Sequence, residues 1–213
     1  MHTNLARRRL ASSLEPLFAL VVVAVLGSIA TGAEPVRISF VARVHNVYDP
    51  GDALHEAIAV GDLLHGTVTY DPSAPDTNPA PNVGRYEFRR PPYGMVVEAG
   101  QLVFQTDPKH VDFSVVLAKG EGTPPRDSYT VTSSNNLALL IGATVTRMSW
   151  KLVDDTLTAL TSTKLPAGAP DLDKWRSELG LTLEGQGTVE FIIRAHVTEA
   201  KLCTRDMRCP SPE

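Results

Sequence analysis

Apolar residues in this chain recur at every second position, and that period of two constrains its fold more than any other feature. In Arg37–Val47, RISFVARVHNV, Ile38, Phe40, Ala42 and Val44 alternate with Arg37, Ser39, Val41, Arg43 and His45. Such alternation describes a strand with one face in a core and the other in water. LLHGTVTY (63–70) sends Leu64, Gly66, Val68 and Tyr70 to one face and His65, Thr67 and Thr69 to the other. MVVEAGQLVFQTD reads as two short strands around Ala99-Gly100, and VDFSVVLA and DSYTVTSS as two more. KGEGTPPRD between those two is a Gly- and Pro-rich turn. LALLIG (137–142) reads as a further strand. TVTRMSWKL places Met148, Trp150 and Leu152 together, and TVEFIIRAHV places Phe191, Ile193 and Ala195 inward.

Helical periodicity is scarce. PDLDKWRSELG alone fits it, with Asp171 as cap, Leu172, Trp175 and Leu179 on one face and Gly180 as stop, which predicts a short surface helix near 171–179. Many short strands joined by regular turns predict an all-β fold, an antiparallel sandwich or jelly roll. One-sided alternation argues against buried parallel strands.

The N-terminus has a different character. Arg7, Arg8 and Arg9 precede the unbroken apolar run LFALVVVAVL (17–26), and small residues GSIATGA follow. That order is a secretory signal peptide over residues 1–33, cut after Ala33 or after Gly32. The run is shorter than the ~20 apolar residues of a membrane span. The organisation expected is a signal peptide (1–33), a β-sandwich domain (34–200) and a C-terminal tail (201–213). Residues 1–33 hold three Arg and one Glu out of 20 basic and 24 acidic residues, so the remainder carries 17 and 23, a net charge of −6. A mildly acidic surface argues against nucleic acid or an anionic membrane as partner. No second apolar stretch approaches a span after cleavage.

The only cysteines are Cys203 and Cys209, with five residues between them. In an exported chain that pair is expected to form a disulfide. Two cysteines cannot alone close a structural zinc site, which takes four ligands.

Tests for catalysis find no complete constellation. G-x-S-x-G is absent, and His55-Glu56 lacks the second His of a zincin helix. His45, His55 and His65 are evenly spaced, which does not imply proximity. Asp154-Asp155 reads as a turn and Asp171 as a cap. The expectation is a protein that is not an enzyme and has no cofactor.

The stretch YDPSAPDTNPAPNVGRYEF (70–88) is rich in Asp, Asn and Pro. Asp71, Asp76 and Asn78, with Asn82 and Asp62 nearby in sequence, are calcium candidates, since hard cations take carboxylate and amide oxygens. The same residues also start turns: Asp71-Pro72 and Asn78-Pro79 suit a stiff extended loop.

Val60–Pro79, V-G-D-x-x-x-G-x-x-x-Y-D-P-x-x-P-D-x-N-P, resembles an uncharacterised β-module of exported bacterial proteins that often carry a PEP-CTERM sorting tail. GRYEF, PPYGM, DSYTV and LPAGAPDLDKW look like later pieces of that module in the same order. The chain instead ends in RDMRCPSPE. The resemblance implies architecture and destination but no chemistry.

One internal echo stands out. FVARVH (40–45) and FIIRAH (191–196) share F-x-x-R-x-H, consistent with an inward Phe and a basic outer face on both strands. The expected function is an exported, non-enzymatic envelope, cell-surface or matrix module, acting on an extracellular macromolecule or polysaccharide. The alternative is a calcium-assisted carbohydrate-binding module. Sugar platforms need exposed flat rings, and the candidates are Tyr48, Tyr86, Tyr93, Trp150 and Trp175.

Overall fold

The computed structural model describes residues 34–203 and Cys209. The expected signal peptide, the site of its cleavage and the rest of the C-terminal tail lie outside the described residues. Ten strands form one antiparallel sheet: β1 (Val36–Tyr48), β2 (Leu63–Tyr70), β3 (Val83–Phe88), β4 (Gly94–Ala99), β5 (Leu102–Gln105), β6 (Phe113–Glu121), β7 (Arg126–Ser133), β8 (Thr144–Asp154), β9 (Glu178–Gln186) and β10 (Glu190–Leu202). Their order is β3-β6-β7-β8-β9-β10-β1-β2-β4-β5.

The all-β antiparallel fold is as the alternation predicts, and its facing layers come from one continuous curled sheet. Strand spacing of about 4.8 Å would hold β8 and β1 about 14 Å apart in a flat sheet. Yet the rings of Phe40 on β1 and Trp150 on β8 lie with centroids 5.0 Å apart. Tyr70 on β2 and Phe88 on β3 are seven strand positions apart in the sheet, and their rings are 6.5 Å apart. The sheet therefore wraps around a single core. Ile38, Phe40, Tyr129, Met148, Trp150, Phe191 and Ile193 are all buried in it. Edge strand β5 is tied down through residues 135–137, which bond Gln105 and Asp107 through the backbone, and through the contact of Thr106 Oγ1 with Ser133 Oγ at 2.7 Å.

Loops close the two ends. At one end, residues 155–177 cross the opening. The Tyr70 hydroxyl donates to the Pro166 carbonyl (3.0 Å) and the Tyr86 hydroxyl to the Thr163 carbonyl (2.9 Å), while Leu160, Leu165 and Trp175 are buried. At the other end, Leu54 and Ile58 of loop 49–62 are buried, and Asp49 accepts from the Ala53 and Leu54 amides.

The short helix expected near 171–179 is present in reduced form, and two other local readings are corrected. The helix near 171–179 is a single 3-10 turn, Leu172–Lys174, capped by Asp171, whose side chain accepts from the Asp173 amide. It stops early because Glu178 already pairs with Val153 in the sheet, and the intervening Trp175 turns into the core. LALLIG is a tight turn rather than a strand: Leu139 donates to the Ala143 carbonyl and Gly142 donates back to Leu139. Gly142 adopts φ +90°, Leu139 is buried and Leu140 is 97% exposed. Conversely ELGLTLEGQ, with Leu181 and Leu183 inward, is the central strand β9, which the helical reading of its first residues conceals.

Candidate functional site

The site lies on the outer face of β9, β10 and β1. Alternation turns Arg43 and His45 outward on β1, and Arg194 and His196 outward on β10; all four are exposed. The register converts the F-x-x-R-x-H echo into a cross. Arg43 stands opposite His196, and Val44 opposite Ala195, so His45 falls beside Arg194. A shift between Val44 and Asn46 then places Asn46 opposite Arg194 and leaves His45 as the extra residue of a bulge. Bulges re-aim side chains and are common beside functional sites. The Arg194 guanidinium donates to Asn46 Oδ1 at 3.3 Å. Arg43 turns away and donates to the Gly61 carbonyl at 2.9 Å.

Strand β9 supplies the floor. Gly180 is the register partner of His196 on one side and of Lys151 on the other, and Thr182 is the partner of Arg194. With no side chain at Gly180, the outer face dips between Lys151 and His196. The resulting open pocket has a volume of about 360 Å³ and is lined by His45, Arg176, Ser177, Thr182, Arg194 and His196, with Trp175 at its edge. Glu178, the carboxylate in its wall, is paired with Lys151 at 3.0 Å. Among the described residues this is the one ion pair bordering the pocket, and no carboxylate pairs with Arg176 or Arg194. Two guanidinium groups, two imidazoles and two hydroxyls line the hollow, the Ser177 Oγ also accepting from the Asp155 amide at 3.1 Å, and this donor set has the chemistry that suits an oxyanion.

The calcium candidates are placed differently. Asp71 Oδ1 accepts from the Ser73 hydroxyl (2.6 Å) and amide (2.8 Å), bonds that hold its carboxyl below the usual range. Asp76 Oδ1 accepts from the Asn78 amide (2.8 Å) and the Arg85 amide (2.9 Å). Asn78 Oδ1 accepts from the Ala80 amide (2.9 Å). Asn82 donates to Glu121, and Asp62 accepts from the Ala59 amide. Each of these side chains thus serves a turn or a neighbouring strand. Among the described residues no group of three or more His, Cys, Asp or Glu side chains is arranged to hold a metal ion. His55 pairs with Asp52 at 3.7 Å, and His65 lies on β2 opposite Glu98, away from His45.

Asp154 has more structure than a turn. It faces Asp127 across β7 and β8, and both are fully buried. Asp127 accepts from the Gly120 and Leu160 amides, each at 3.0 Å. Asp154 accepts from the amides of Thr156, Thr158 and Ala159 and from the Thr156 and Thr158 hydroxyls. Burial alone would push its carboxyl up; the Thr156 hydroxyl and the three amides outweigh that and hold it well below the usual range. The pair anchors the loop that closes this end of the core.

Of the ring candidates, Tyr86, Trp150 and Trp175 are buried, Tyr93 is half-buried and Tyr48 is 53% exposed. Cys203 and Cys209 form the expected disulfide, with Cα atoms 6.2 Å apart. Sequence reasoning reached Arg43, His45, Arg194 and His196 only as a basic face, and missed Arg176, Gly180 and Thr182. The signal available was Leu181 and Leu183 at spacing two, which marks β9 and turns Gly180 and Thr182 outward.

Compared with models of protein families, with curated proteins and with solved structures, the chain finds no match. Its class rests on fold and site: an antiparallel all-β domain with a basic pocket on an exposed sheet face.

Proposed function

We propose that this chain is an exported, non-enzymatic module of the cell envelope, cell surface or matrix, and that its work is binding an extracellular macromolecule or polysaccharide. The observation that carries the reading is the pocket over Gly180, bordered by Arg194, His45 and His196 from strands β10 and β1 and by Arg176 from the loop before β9, with neither arginine paired to a carboxylate among the described residues. A preformed hollow on sheet strands is suited to recognition without rearrangement. The buried carboxylates that could serve acid–base chemistry, Asp127 and Asp154, are engaged by backbone amides of loops. The Cys203–Cys209 disulfide is compatible with an oxidising compartment, and no helix among the described residues is long and apolar enough to cross a membrane. The resemblance of Val60–Pro79 to a module of exported bacterial proteins points the same way.

The test has two parts. Protein recovered from the medium or envelope of an expressing cell is expected to begin near Glu34. A glycan-binding screen of that protein, run with and without calcium, is expected to return ligands in both conditions. A chain that stays in the cytoplasm with Met1 intact, or one that binds only with calcium, contradicts this reading.

A further inference from the structure

The charge around the Gly180 pocket is the reverse of the charge on the rest of the chain. The sequence after residue 33 carries a net of −6, yet Arg176, Arg194, His45 and His196 border one opening whose nearby Glu178 is already neutralised by Lys151. We propose that this pocket binds the oxyanion of an acidic polysaccharide, a uronate carboxylate or a sugar sulfate ester, one sugar unit at a time. The inference rests on the binding role proposed above and names its ligand class.

Three observations carry it. The first is the donor set. Arg176 and Arg194 offer planar N–H forks that match oxyanions, Arg194 with donors beyond the one it gives Asn46, and Thr182 adds a hydroxyl that suits the oxygens of a sugar ring, as does Ser177, whose Oγ accepts from the Asp155 amide and keeps its proton to donate. The second is shape. About 360 Å³ at the surface accommodates one sugar unit, and the opening on an exposed sheet face lets a polymer continue past it. The third is the ring at the pocket edge. Trp175 is 5% exposed and packs inward against Tyr129, with centroids 6.5 Å apart, so its ring offers no open stacking platform. A neutral sugar would lack its usual flat partner here, whereas a charged one has cations. A nucleic acid would want a basic stripe along its backbone, and the acidic remainder of the chain opposes it.

Gly180 provides a way to close the pocket without removing charge. Its Cβ would point outward, where the nearest atom is the flexible Glu178 Oε1 at 3.1 Å, and its backbone is that of an ordinary strand. Gly180→Val should therefore fold and fill the hollow.

The experiment is titration calorimetry on the exported protein with oligogalacturonate, dextran sulfate, neutral dextran, duplex DNA and inorganic sulfate. Oligogalacturonate or dextran sulfate is expected to bind, and which of the two does so identifies the oxyanion. Arg194→Gln is expected to weaken that binding by about ten-fold or more, as loss of a charged hydrogen bond implies, and Gly180→Val by about ten-fold or more by filling the hollow. Their melting temperatures serve to show that both variants are folded. Equal binding of duplex DNA, or inorganic sulfate binding as tightly as the oligosaccharides, overturns the proposal. Binding of neutral dextran that neither variant changes overturns it while leaving the binding role intact. Binding of none of the probes by a protein that is exported also overturns it.

Discussion

Phe191 lies across Gly185, its register partner on β9, so closely that a Cβ on Gly185 would stand 2.2 Å from the ring's Cζ. Phe40 does the same to Gly66 on β2, at 2.1 Å. The two Phe residues are the first members of the echoed F-x-x-R-x-H. Each ring occupies the space that its partner's missing side chain leaves, on the concave side of a bending sheet. The echo thus has an inner half that shapes the curl and an outer half that supplies His45, Arg194 and His196 to the pocket.

Gly185→Ala and Gly66→Ala are expected to lower stability by about 1–3 kcal/mol each, the usual cost of overpacking. Gly185→Ala should be the worse, because the Thr144 carbonyl also lies 2.3 Å from the new Cβ and is backbone. Urea denaturation checks this. An unchanged midpoint for both would show that the rings move aside freely.

The Asp154 anchor predicts acid sensitivity. Its folded-state carboxyl is held well below the ordinary value near 3.9, so the unfolded chain binds the proton more readily. The stabilisation is present above about pH 4 and is lost as the pH falls from there toward the depressed folded value. Unfolding midpoints should be flat near neutrality and drop below about pH 4. Asp154→Ala should flatten that drop and cost at least about 2 kcal/mol at pH 7, because buried amides lose their acceptor. An acid limb of equal size in wild type and variant would contradict the assignment.

Much of this fold was legible in the residues. Ile38, Phe40, Met148, Trp150, Phe191 and Ile193 alternate as strands must, and each is buried. What misled were segments whose local pattern served a tertiary purpose. Leu172, Trp175 and Leu179 fit a helical face, but Trp175 is inward to close the end of the core while Leu179 already belongs to β9. LALLIG is apolar because Leu139 seals the core at a turn, which leaves Leu140 outside. The pocket was half legible. The basic residues were visible as an echo, but only the antiparallel register makes Arg43 meet His196 on one side and puts Gly180 beside His196 on the other. Register depends on pairing across distant parts of the chain, which no local pattern carries.

Calcium is expected to leave the melting temperature within about 1 °C, since Asp71, Asp76 and Asn78 are occupied by turns. A ligand held only by the folded state at 100 times its Kd would add ~2.7 kcal/mol. A rise of several degrees that Asp76→Ala abolishes would contradict the structural account of that loop.

The disulfide is expected to be peripheral. Cys203 follows β10 directly, and its ring to Cys209 spans a sequence separation of 6. Loop-closure theory gives about 3 kcal/mol for a 15-residue ring and less for a shorter one. The double variant Cys203→Ser, Cys209→Ser should fold, with a stability loss below about 3 kcal/mol. Loss of the folded state would show that the C-terminus holds the sheet together.

The binding role of the outer face is tested most directly by amide chemical-shift mapping of the exported protein titrated with oligogalacturonate or dextran sulfate, whichever binds. The account predicts that the largest shifts fall on Ser177, Gly180, Thr182, Arg194 and His196, with His45 following across the bulge. Shifts centred instead on residues 71–88, or spread evenly over the surface, would contradict it.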